Sequence, residues 1–447
     1  MTPEPFGLWN LEQEARALLC RLGRVKSFAM QETMVPAASL SVEAQAAIER
    51  FLTSGRRRLR RQVHRFLDWI RGPRGRGATP AEAQRRFTLL RLQFNIVLSH
   101  FDIFSEALSQ RSEADNGVWL AGLDVCSQEA LAVPGVMSAP AVICYLARGP
   151  GAAIRRARTR LPGGEENPVA IIRVPRERMV GSGIASSLIH EVGHQGAALL
   201  DLVPSLRRDL LRGPPPEVAP RAWTLLRRWI SEIVADCWSI ARLGTTSTAG
   251  LIGVVSLPAP FVFRIVPGDP HPAPYARVKL SAAIGNALYP HPQWRRLVQM
   301  WESFYDVGRL DGPERRIFAE LEGAFPAFVQ RLLAHRPPSL HGRRLGDALR
   351  SDDRHPERLA ALYTEWRGGL PALVKAPPTL AFAVLGQARL DGRLSPERES
   401  ALLAKLLRHW AWRATVDVGE VCAAARRLKH RRRDPYPDPL GALAPAA

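Results

Sequence analysis

His190-Glu191-Val192-Gly193-His194 sets two imidazoles four residues apart, with a carboxylate beside the first. On an α-helix, positions i and i+4 lie one turn apart on the same face, so both rings can reach one metal ion. Glu191 then projects toward the coordination position left open, where it can take a proton from a water held there. That chemistry is metal-assisted hydrolysis of a peptide bond, with zinc as the ion and Glu191 as the general base. The same five residues also suit a buried pair of hydrogen-bonded helix histidines. A catalytic zinc needs three protein ligands and one open position, so a third ligand has to be found.

The metzincin pattern would put a glycine and a third histidine at positions 197 and 200, where this chain has Ala197 and Leu200. A second apolar segment carries two acids one helical turn apart, Glu232 and Asp236, set among Ile230, Ile233, Val234 and Cys237. Carboxylates in so apolar a setting need a partner, and a metal cluster supplies one. Taken with the upstream histidines, Glu232-Ile233-Val234-Ala235-Asp236 resembles the ExxxD pattern of gluzincin metallopeptidases. The resemblance implies that Glu232 is the third ligand and that Asp236 orients His190 through its other ring nitrogen. Asp269-Pro270-His271-Pro272, followed by Arg277-Val278, is similar to the segment that follows the ExxxD helix in the branch holding the CAAX prenyl proteases and the HtpX-like peptidases. HEVGH is also similar to that branch's HExGH. By this resemblance His271 stabilises the oxyanion, Arg277 holds the site or orients Asp236, and the chain binds one zinc. The likeness covers roughly residues 165–290. Tyr275 and Tyr289 are further oxyanion candidates. His291, between Pro290 and Pro292, reads as structural.

Two long helices must position these groups, one from Ile184 to about Leu200 and one from about Pro220 to Leu243, with the Gly213–Pro216 break between them. Strand candidates Ala141–Leu146 and Val169–Val174 precede the first helix. In zinc peptidases such a strand can hold an extended substrate beside the metal. The apolar run Ala249–Val266 either walls a substrate cleft or forms a broken helix or hairpin in the core. Residues 10–71 carry helical apolar spacing, with Ser41 as a helix N-cap, and another helix starts at Thr79-Pro80. Helices return after Asp311, and Asp391-Gly392 followed by Ser395-Pro396 punctuates two of them. The expected architecture is mainly α (α+β). An N-terminal helical region, 1–115, precedes a zincin-like core with a small β-sheet, 116–310. A C-terminal helical region, 311–434, and a disordered tail, 435–447, follow.

Composition sets the outer bounds. Hydrophobic residues make up 46% of 447, enough to bury a sizeable core and against wholesale disorder. The net charge is +20, but its arginines are spread through every region rather than drawn into a stripe, which makes nucleic acid an unfavoured partner. A basic nucleic-acid-binding protein and a non-catalytic metal-binding scaffold are the alternatives to the enzyme. The expected partner is a peptide or protein substrate. Five cysteines in no CxxC spacing argue against a disulfide framework and a thiolate zinc site. The N-terminus lacks a signal-peptide pattern, and Ala249–Val266 contains Pro258 and Pro260, so a cytoplasmic protein with at most peripheral membrane contact is expected.

Overall fold

The computed structural model describes residues 3–28, 33–149, 151–176, 181–366 and 369–431. The expected tail, 435–447, lies outside them. The chain is mainly helical with one small sheet. Helices α1 (Pro3–Arg24), α2 (Val42–Arg71), α3 (Pro80–Ser109) and α4 (Ala114–Leu131) lead into strands β1 (Val142–Ala147), β2 (Ala153–Arg155) and β3 (Ala170–Pro175). Helices α5 (Ser182–Leu199), α6 (Leu202–Leu210), α7 (Pro220–Arg228), α8 (Ile230–Leu243), α9 (Thr245–Val255), α10 (Pro274–Leu288) and α11 (Pro292–Phe304) follow. Then come α12 (Gly312–Ala334), α13 (Pro356–Glu365), α14 (Pro378–Leu390) and α15 (Pro396–Arg431). The Ser41 hydroxyl accepts the Ala44 N–H at 3.2 Å and so starts α2 where the sequence places a cap. The helix expected over 220–243 is instead two, because the chain turns at Trp229.

The sheet divides two apolar layers. Along β1, Val142, Cys144 and Leu146 face one layer and Ile143 the other; along β3, Ala170, Ile172 and Val174 face the first and Ile171 the second. This is the period-2 alternation of a strand buried on both faces. The side of Ile143 and Ile171 is covered by α1, α2 and α3 through Leu18, Ile48, Phe66, Phe87 and Phe104. The other side is covered by α5 and all that packs behind it, in one continuous apolar cluster from Leu120 to Trp410. That cluster includes residues on both sides of position 311.

Strand order is β1-β3-β2, with β1 parallel and β2 antiparallel to β3. The outer edge of β1 is closed by side chains. Asp124 accepts the Cys144 N–H at 2.7 Å, Arg111 donates to the Cys144 carbonyl at 2.7 Å, and the Gln110 amide exchanges two 2.8 Å bonds with Leu146. The other edge belongs to β2. The strand expected to lie beside the metal, Val169–Val174, is therefore the middle strand, with both its edges taken. The edge that faces the site is β2, a three-residue strand too short to show a periodic pattern.

The C-terminal helix reaches back to the start of α5. The fully buried Glu399 accepts the Ser182 N–H at 3.1 Å and receives Arg389 at 3.0 Å. A carboxylate there satisfies a free donor of the first turn and lies at the positive end of the helix dipole. Glu399→Ala is expected to lower unfolding free energy by about 1–3 kcal/mol, measured by denaturant titration. An unchanged midpoint would contradict this role.

Candidate metal centre

Helices α5 and α8 cross at unusually close range. A Cβ on Gly193 would stand 2.9 Å from the Ala235 Cα, and one on Gly196 would meet the Trp238 ring at 2.4 Å. Neither position admits a side chain, so the glycines let the two backbones approach. The Trp238 indole N–H is anchored to the Ala130 carbonyl at 3.0 Å, which fixes the crossing against α4. This approach brings Glu232 and Asp236 of α8 onto the histidine face of α5.

His190 and His194 stand one turn apart, their ring centroids 4.8 Å from each other. Glu232 spans the gap, with one oxygen 3.2 Å from His190 Nε2 and the other 3.4 Å from His194 Nε2. The three ligand atoms all lie within 4.8 Å of one another, and they can hold a metal ion. Tetrahedral zinc with bonds near 2.05 Å separates its ligand atoms by about 3.3 Å, close to the two histidine–glutamate distances. The donor set, two imidazoles and one carboxylate, is that of a three-ligand site with a position left over.

The neighbours set the charges. Asp236 lies 2.8 Å from His190 Nδ1, which turns Nε2 toward Glu232. Arg277, from α10, donates Nε and a terminal nitrogen to the two oxygens of Asp236, both at 2.8 Å. Its guanidinium also stands 3.6 Å from Glu232. Burial disfavours a charged imidazole, yet Asp236 and Glu232 outweigh it and raise His190 to about 9. Burial would raise Asp236, but Arg277 and then His190 hold it down at about 2. Burial likewise opposes ionisation of Glu232, and hydrogen bonds from His190 and His194 keep it far below the carboxylate range. Arg277 neutralises one buried acid. Glu232 still needs a cation, and a proton on His190 fills that need when no metal does.

His271 sits in the exposed loop before α10, its Nε2 3.6 Å from Glu232. Asp269, the first residue of the Asp269-Pro270-His271-Pro272 segment, accepts from its backbone N–H at 2.9 Å and lies 2.8 Å from Nδ1. Glu191 lines the same cleft of about 620 Å³, together with Ala153, Ile154 and Arg156 of the edge-strand region and Leu251 and Val254 of α9. Thus His190, Glu191, His194, Glu232, Asp236, His271 and Arg277 come together. Tyr275 and Tyr289 do not. Tyr275 is buried against Phe263 and Phe318, and the Tyr289 hydroxyl donates to the Ala241 carbonyl at 3.0 Å. His291 accepts the Gln293 N–H and caps α11. The Ala249–Val266 run is a broken helix that both walls the cleft, through Leu251 and Val254, and joins the core.

Gln195 and Asn167 were missed in the sequence. The Gln195 side chain accepts the Ala157 N–H at 2.8 Å, and Asn167 donates to the Arg155 and Arg156 carbonyls at 3.2 and 3.1 Å. A buried amide that ties a strand end to the histidine-bearing helix has no signature in a single sequence.

Comparison with protein-family models, curated proteins and solved structures gave no match. Among the described residues, no helix is long and apolar enough to cross a membrane.

A metal ion must displace the proton that His190 holds below about 9. Affinity for a divalent ion is therefore expected to climb with pH, by up to about tenfold per unit on the acid side, and to level off near the His190 value. Competition against a chromophoric chelator at several pH values measures this, and a pH-independent affinity would contradict it.

Proposed function

We propose that the chain is a zinc-dependent peptidase of gluzincin type. The observation that carries the reading is the convergence of His190, His194 and Glu232 with Glu191 in one cleft bounded by a sheet edge. A zinc ion held by the three ligands would polarise the scissile carbonyl and lower the pKa of the attacking water.

The chain's own groups supply the rest. Glu191 takes the proton from the attacking water and returns it to the leaving nitrogen. The edge strand β2 offers backbone groups to an extended peptide, which adds to the sheet as a further strand. Asp236 keeps His190 in the tautomer and direction that ligation needs, and Arg277 keeps Asp236 ionised. His271, turned by Asp269, donates toward an oxygen that gains charge at the reacting carbon.

A metal-binding scaffold would need the three ligands but not Glu191. Glu191→Gln is expected to retain zinc and to cut peptide hydrolysis by at least about 100-fold, read by metal analysis beside cleavage of an unfolded protein substrate. Stoichiometric zinc with undiminished cleavage would sink the mechanism.

A further inference from the structure

Two arginines line the cleft, and they differ in their partners. Arg277 is buried and bound to Asp236 through both oxygens. Arg156, just past the end of β2, is exposed and, among the described residues, has no carboxylate in ion-pair contact. With 62 Lys and Arg against 42 Asp and Glu, the chain cannot pair every arginine with an acid. What sets Arg156 apart is how firmly its backbone is held beside the metal ligands.

Asn167 and Gln195, both 1% exposed, hold the segment. Asn167 donates to the Arg155 and Arg156 carbonyls, while Gln195, next to His194 on α5, accepts the Ala157 N–H. The Thr159 hydroxyl adds a 2.6 Å bond to the Arg156 carbonyl, and Arg158 and Asn167 join through their backbones at 2.8 Å. The Arg156 backbone is thus fixed relative to the histidine-bearing helix. A guanidinium on a rigid backbone loses less freedom when it binds, and so discriminates better than one on a mobile loop. Its five donors suit a carboxylate.

We infer that Arg156 makes the cleft selective for peptide segments with an aspartate or glutamate beside the bond that is cut. The inference rests on the peptidase reading for the path of the peptide along β2. The overall positive charge acts in the same direction, drawing acidic chains toward the molecule.

The test uses the full chain loaded with zinc and carrying Glu191→Gln, immobilised and offered a random decapeptide library. Retained peptides are sequenced. Aspartate and glutamate are expected to enrich on the order of fivefold over the input. The enrichment disappears with Arg156→Glu and persists with Arg61→Glu, an equal charge change on the exposed side of α2. Zinc content verifies that each variant keeps its site. No acidic enrichment, or the same enrichment in both variants, overturns the inference. A parallel digest with the unaltered chain separates the two readings. If it cuts nothing while acidic retention still depends on Arg156, the hydrolytic reading fails, and with it the position beside a cut bond, while the preference of the cleft for acidic peptides stands. Cleavage without an Arg156-dependent acidic preference sinks the selectivity alone.

Discussion

The candidate ligands meet where two helix backbones come closer than ordinary side chains allow. Gly193 and Gly196 on α5 permit that approach, and Ala235 and Trp238 on α8 fill the space. A larger residue at either glycine would push Glu232 away from His190 and His194. Much of the structure serves this crossing. Trp238 is pinned to α4, Glu399 of the C-terminal helix holds the first turn of α5, and α10 carries Arg277 in behind the acids.

Charge is the second constraint. Glu232 and Asp236 are 6% and 7% exposed, a costly placement for two carboxylates. The structure answers with an ordered chain of contacts from Arg277 through Asp236 to His190 and on to Glu232. Each group favours one ionisation state in the next. The last link, between the histidines and Glu232, is where one further cation balances the cluster.

The legible part of this site lay in residue types at helical spacing. HEVGH, Glu232 with Asp236, and the His271 and Arg277 segment stand out because each pattern repeats with a helical turn or a proline-marked loop, and the structure brings all of them together. Helix caps such as Ser41 were legible for the same reason, since a cap acts on its own neighbours. Contacts made at long range were not. Glu399 meets Ser182 across 217 positions, and Gln195 meets Ala157 across 38, so neither leaves a local trace. The edge strand β2 was lost because three residues cannot show alternation. Its neighbour β3 was found, yet its central place could not be read without the pairing.

The candidate centre stands or falls on its third ligand. Metal analysis of the purified chain beside Glu232→Ala tests it most directly, because, among the described residues, Glu232 alone reaches both histidines across the helix crossing. One zinc per chain in the unaltered protein and loss of that zinc in the variant is the expected result. Full zinc retention in Glu232→Ala, in a variant that remains folded, would contradict it.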